Sequence, residues 1–352
     1  MIDGLKLEAR GDTPRLLLND PKLDFRSRFI SNTAEILEGY QVLGYKGFKV
    51  EIRKKKVAFI TGSLHKFKYS DNSGNFSPSS ISQAVDALSD KLYLDPDETF
   101  IRNIEIGFNL LLPFSPTELL RNNVICYKGS PISRIDTFDN TGYQIDFKKS
   151  NYVFKLYDKG REVEEKSRKR LQKNLIENTK DLSKEKLNAL LEENIHRRSE
   201  ENILRIEVRV KVMAHIKGKV KVLSDLKDED KLFKLISVID DSLKHLLIVD
   251  SMDVNKIKDV KDKELFLLGI NPTFWERFRP KPKEYQLGEK DKEYVKRKNK
   301  YYRIKNEFQS ILQRNNLLKT KKFIELLIEN KKQELFGYNN EYDGLQKKLF
   351  HH

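Results

Sequence analysis

The chain has 352 residues, with 68 Lys and Arg against 53 Asp and Glu, a formal net charge of +15 and a pI near 9.4. That length allows a sizeable core and two or three compact units, and the charge favours polyanionic partners such as a phosphate backbone. A single cysteine, Cys126, excludes internal disulfides and a Cys-rich zinc site. Without an apolar run of membrane-spanning length or an amino-terminal signal pattern, the expectation is a cytoplasmic protein with no membrane partner. The sequence also lacks a GxxxxGK[ST] phosphate loop, a GxSxG elbow, an HExxH pair and a dinucleotide fingerprint, which argues against ATP-driven work.

Residues 2–9 alternate as a strand, and residues 40–68 place Gly44, Gly47 and Lys54-Lys55-Lys56 between β-prone runs, as in a hairpin. Ile81, Val85, Leu88 and Leu92 then recur at helical spacing. A strand centred on Glu105 follows. The same order returns: a helix from Pro116 to about Val124, strands across Ile132–Asp136, Tyr143–Phe147 and Tyr152–Leu156, helical material, and a strand centred on Glu207. This predicts an α+β fold with a pseudo-duplicated antiparallel sheet, its halves spanning residues 1–112 and 113–213. A charged stretch, 162–201, reads as an inserted helical hairpin with a solvated face. Residues 214–352 lose strand signals and read as a helical region. Its stretch from Lys281 to Glu334 holds sixteen Lys and Arg against eight Asp and Glu, a surplus of +8. Tyr294, Tyr301, Ile304, Phe308 and Ile311 should pack inward there.

The two carboxylate strands carry the functional argument. In Leu204-Arg-Ile-Glu-Val-Arg-Val-Lys211 the even positions are apolar, while Arg205, Glu207, Arg209 and Lys211 share the opposite face. Arg102-Asn-Ile-Glu-Ile-Gly-Phe-Asn109 repeats the pattern around Glu105. A lone carboxylate among cations is ordinarily a surface salt bridge. If the halves superpose, however, His65 and Tyr157 become equivalent, and Glu105, Glu207 and His65 converge beside Tyr157. Two carboxylates and an imidazole suit Mg²⁺ or Mn²⁺, which would polarise a phosphate oxygen. A tyrosine hydroxyl is a weak nucleophile until a cation or base activates it. Lys155 and Lys159, on the Tyr157 face of its strand, would supply that charge.

These segments, together with Met1-Ile-Asp-Gly-Leu5, Gly62-Ser-Leu-His-Lys-Phe67 and Phe154-Lys-Leu-Tyr-Asp-Lys-Gly160, resemble the gene II-type replication initiators of filamentous phages. More distantly they resemble the rolling-circle Rep proteins of plasmids and conjugative elements, related to HUH endonucleases. The likeness runs from Met1 to about Lys217 and implies a nicking domain over 1–213. It implies origin-specific, metal-dependent cutting of one strand by tyrosine transesterification, a 5′-phosphotyrosine intermediate, a free 3′ hydroxyl and later rejoining. On the matching positions Tyr157 is the nucleophile, assisted by Lys159, and Glu105, Glu207 and His65 are the metal ligands. Lys155, Arg205, Arg209 and Lys211 would contact DNA. The chain lacks a His-hydrophobic-His triplet, so Asp71 or Asn72 competes with His65, and Tyr152 competes with Tyr157. Single-stranded or supercoiled origin DNA, a host helicase and a polymerase would be partners. The competing expectation is a DNA-binding initiator or regulator without catalysis.

Overall fold

A computed structural model of the chain describes residues 1–29, 36–69, 74–131, 143–178 and 202–337. Among these residues twelve strands and ten helices form an α+β fold. The strands are β1 (Ile2–Ala9), β2 (Arg26–Phe29), β3 (Ile36–Tyr45), β4 (Phe48–Arg53), β5 (Val57–Ser63), β6 (Phe100–Leu111), β7 (Val124–Tyr127), β8 (Ser130–Pro131), β9 (Gln144–Lys148), β10 (Tyr152–Asp158), β11 (Ile203–Val210) and β12 (Leu246–Ile248). The helices are α1 (Thr13–Asn19), α2 (Leu64–Tyr69), α3 (Pro78–Leu92), α4 (Pro116–Asn122), α5 (Lys159–Asn178), α6 (Glu229–Lys244), α7 (Val260–Gly269), α8 (Pro272–Phe278), α9 (Lys292–Arg314) and α10 (Lys319–Phe336).

Nine strands form one antiparallel sheet in the order β2-β3-β4-β5-β1-β6-β11-β10-β9. Period-two alternation gives it two unlike faces. One carries Leu5, Leu7, Ile60, Ile104, Ile106, Phe108, Phe154, Ile206 and Val208, and packs with apolar residues of α3, α6 and α10 into the main core. The other is polar and holds the candidate site. Local chemistry sets the helix starts: the Ser77 side chain accepts from the Ser80 N–H ahead of Pro78, and Asp228 caps α6 through the Lys231 N–H.

The two expected halves differ in strand order within the sheet. β6 and β11 lie side by side at its middle, as expected for the two carboxylate strands. In the first half, however, β1 separates β5 from β6, whereas in the second half β10 pairs directly with β11. β7 lies outside the large sheet and pairs with β12 and β8 in a three-stranded one. His65, just after β5, and Tyr157, on β10, are therefore not in equivalent places.

The expected boundary near residue 213 does not coincide with a break in packing. Leu232, Ile236, Ile239, Ile324 and Ile328 join the main core, while Ile125 and Cys126 from the first part join a second core with Trp275, Tyr301, Phe308 and Ile311. The inward packing expected of Tyr301, Phe308 and Ile311 is observed, and Leu246–Ile248, expected to be helical, is a strand. Of the charged insertion, the part through Asn178 continues α5, and 179–201 lies outside the described residues, as does the expected strand Ile132–Asp136. No helix among the described residues is long and apolar enough to cross a membrane.

The β4–β5 turn puts both central residues, Lys54 and Lys55, at positive φ (50° and 55°), with the Lys56 N–H bonded to the Arg53 carbonyl at 3.0 Å. A side chain in this left-handed region costs roughly 1–2 kcal/mol, and Asn-Gly is the pair such turns favour. The double substitution Lys54→Asn/Lys55→Gly should raise unfolding stability by about 1 kcal/mol, read as a higher urea midpoint at an unchanged slope.

Candidate functional site

Three neighbouring strands bring most of the expected residues together. Glu207 lies opposite Gly107 and Arg209 opposite Glu105 across β6 and β11, while β10 sets Lys155 opposite Glu207 and Tyr157 opposite Arg205. Directly opposed residues share a face, so Glu105, Glu207, Arg205, Lys155 and Tyr157 converge on the polar side of the sheet.

Their contacts form one network. The Lys155 ammonium donates to Glu105 Oε1 at 2.8 Å and to Glu207 Oε1 at 2.6 Å. Arg205 donates through Nε to Glu207 Oε2 at 3.1 Å, through Nη2 to Asp3 Oδ2 at 2.9 Å and through Nη1 to Asn109 Oδ1 at 3.2 Å. Tyr157 donates its hydroxyl to Glu207 Oε2 at 3.4 Å, and the Ser63 hydroxyl donates to Asp3. Two glycines leave room for these groups. A Cβ on Gly4 would stand 2.5 Å from Glu105 Oε2, and one on Gly107 would stand 2.9 Å from the Ile206 carbonyl and 3.5 Å from the Arg205 guanidinium.

Several expected roles change. Arg205, expected to grip DNA, is buried and committed to Asp3, Glu207 and Asn109, and Lys155 is half-buried between the two glutamates. Arg209 and Lys211 are exposed. Lys159 opens α5, buried, with its ammonium 2.6 Å from Glu162 Oε2 and 5.8 Å from the centre of the Tyr157 ring. Asp158 fixes that turn by accepting from the Arg161 N–H at 3.1 Å and the Thr117 hydroxyl at 2.8 Å. Tyr152 points to the opposite face, its hydroxyl 2.7 Å from that of Tyr127 in the core. His65 stacks on Phe76 at 4.7 Å and lines a cavity of about 20 Å³ with Asn109 and Arg205. It does not join Glu105 and Glu207, and among the described residues no three His, Cys, Asp or Glu side chains gather as a metal cluster. Asp71 and Asn72 lie outside the described residues.

Asp3, Asn109 and Glu162 complete the network and were not among the expected site residues. Asp3 pairs with a residue 202 positions away, which no local pattern reveals. Glu162 had a signal: it stands three residues after Lys159 at a helix start, where such pairs form.

Burial and the hydrogen bond with Glu207 push the Glu105 carboxyl up to about 7. Burial would raise Glu207 too, but Glu105, Arg205 and Lys155 together hold it below the ordinary carboxylate range. The pair thus shares a proton that resides on Glu105. Burial raises the Tyr157 hydroxyl well above an ordinary phenol, opposed by Arg205.

The carboxylate pair fits a small divalent ion in donor chemistry. Mg²⁺ commonly binds one or two carboxylates with water and substrate phosphate completing its shell, and here two carboxylates already converge on one cation, the Lys155 ammonium. Glu105 and Glu207 would hold such an ion once Lys155 swung aside on its flexible stem. His65 would take no part.

Beyond the network the same face continues as open sheet. The Arg53 guanidinium lies 4.5 Å and the Lys6 ammonium 5.4 Å from the centre of the half-buried Phe59 ring, and Arg102 lies 5.5 Å from that of Phe100. No family model and no curated protein sequence matches the chain.

Two outcomes follow from the network. Arg205→Met strands the Asp3 and Glu207 carboxylates and should cost ~3–5 kcal/mol in chemical denaturation. Glu105 carries a raised value when folded, so its contribution is complete below the unfolded carboxyl range and is lost as pH rises through about 7. Glu207 has the opposite sign and loses its contribution in acid. Unfolding free energy should therefore fall as pH rises through neutrality in the wild type, and Glu105→Gln, which cannot ionise, should flatten that fall.

Proposed function

We propose that the chain cuts and rejoins one strand of DNA at a replication origin, with Tyr157 as nucleophile. The observation that carries this reading is the convergence of a tyrosine hydroxyl, a proton-sharing carboxylate pair and two cations on one face of the sheet. In the forward step Tyr157 gives its proton to the Glu207 carboxylate, which holds it, as the phenol oxygen attacks phosphorus. The bond from phosphorus to the 3′ oxygen breaks, and that oxygen leaves and takes up a proton. A 5′-phosphotyrosine and a free 3′ hydroxyl result, and attack by a 3′ hydroxyl reverses the step. One ester replaces another, so the reaction needs no nucleotide hydrolysis.

Arg205 and Lys155 suit the charge that develops on the phenolate and the phosphoryl oxygens. A divalent ion held by Glu105 and Glu207 would add Lewis acidity at the same oxygens. The open face bearing Lys6, Arg53, Arg102 and Arg209, with Phe59 as a partly exposed ring, suits a single strand running toward β10. The first turn of α5 covers Tyr157 and must move aside for a phosphate to reach it.

One observation favours a second reading. Tyr157 is only 6% exposed and its hydroxyl is shifted away from ionisation, as in a structural cluster of a DNA-binding initiator without catalysis. The two readings part on a covalent product. Incubation with Mn²⁺ and a single-stranded or supercoiled origin should give a protein–DNA adduct that survives denaturing electrophoresis. Tyr157→Phe should abolish it and Glu207→Gln should lower its rate by at least about a hundredfold. A folded wild-type protein that yields no adduct supports the second reading, and an adduct persisting in Tyr157→Phe refutes the nucleophile.

A further inference from the structure

A second concentration of charge surrounds the turn between β7 and β8, away from the Glu105–Glu207 network. Lys128 and Gly129 make that turn at positive φ, 50° and 71°. The Lys128 ammonium sits 5.6 Å from the centre of the Tyr127 ring and 5.3 Å from that of Tyr152, and the Lys149 ammonium approaches Tyr127 at 5.8 Å. Arg279, just after α8, donates to the Lys128 carbonyl at 2.8 Å. Lys305, one helical turn beyond Tyr301 on α9, lines a small cavity with Gly129 and His245. His215 stacks on Tyr152 at 4.4 Å.

These residues come from separate parts of the chain: Tyr127 and Tyr152 belong to the main core, whereas Trp275 and Tyr301, each four residues before Arg279 and Lys305, belong to the second. Among the described residues Lys128, Arg279 and Lys305 have no carboxylate within ion-pair distance, and their charges act on one another. Burial and these neighbours lower Lys149 and Lys305 from the ordinary lysine value, and burial with Lys128 lowers His215 and His245. Glu276 acts on Lys149 and Asp241 on His245 in the opposite sense, but the cations outnumber them; crowded like charges destabilise a fold, and an anion relieves them.

We propose that this cluster grips the phosphate backbone of duplex DNA. The chemistry favours paired backbone over single-stranded bases, because the Tyr127 and Tyr152 rings are buried and their faces are taken by ammonium groups and His215. This proposal rests on the nicking reading for its substrate, but its test does not depend on chemistry at Tyr157.

The experiment measures non-covalent binding of the full chain to a short random-sequence duplex, by anisotropy across a salt series, with anionic and neutral lipid vesicles as competitors. Lys128→Gln/Arg279→Gln should weaken duplex binding about tenfold at physiological salt and lower the salt slope by about two. Because the double variant removes like-charge repulsion, its melting temperature should not fall. Lys128→Arg should bind as the wild type does. Tyr157→Phe should also bind the duplex normally, so a failed adduct assay leaves this measurement intact. Unchanged affinity and slope in the folded double variant overturn the proposal. So does a wild-type chain that anionic vesicles strip from the duplex while neutral vesicles do not.

Discussion

The buried Arg205 guanidinium is the constraint around which the centre of the sheet is arranged. It lies 3% exposed and is charged at any accessible pH, so the fold must supply acceptors on several sides. Asp3 from β1, Asn109 from β6 and Glu207 from its own strand do so. Each comes from a different part of the chain, and together they pin the register of β1, β6 and β11. Lys155 then joins Glu207 to Glu105 across β10, β11 and β6. A network of this kind adds little net stability over an apolar packing, yet removal of one member leaves charges stranded.

The same groups have properties that suit acid–base and phosphoryl chemistry. The carboxylate pair pushes its two proton affinities apart, which separates a group that holds a proton from one that accepts hydrogen bonds. The tyrosine stands against the acceptor and beside the guanidinium. Lys159, at the start of α5, holds its ammonium 5.8 Å from the centre of the Tyr157 ring, and Asp158 ties that helix start to Thr117 of α4.

Much of the sheet was legible because alternation is a local property. The face carrying Arg205, Glu207 and Arg209 follows from residues 204–211 alone, whereas the pairing of β6 with β11 joins segments about a hundred residues apart. At Val124–Tyr127, where the sequence reading ends a helix and places no strand, the fold has β7, which pairs with Leu246–Ile248, more than a hundred residues away, in a separate sheet that no local pattern reveals. The equivalence of His65 and Tyr157 depends on two halves of identical strand order, which the sheet does not have. Glu105 showed the reverse: flanked by Asn103 and Gly107, its face gave a weak pattern, yet the fold sets it against Lys155. Arg205 and Lys155 were read as surface cations because alternation reports the face of a strand and not what later covers it.

The central claim is that Tyr157 exchanges a phosphodiester within this network. Peptide mapping of the nucleotide-bearing fragment, by mass spectrometry after reaction with a single-stranded origin oligonucleotide and nuclease trimming, tests it directly. The account predicts a nucleotide 5′ phosphate on the peptide containing Tyr157 and on that residue. A nucleotide attached to Tyr152, to another tyrosine or to a serine would contradict it.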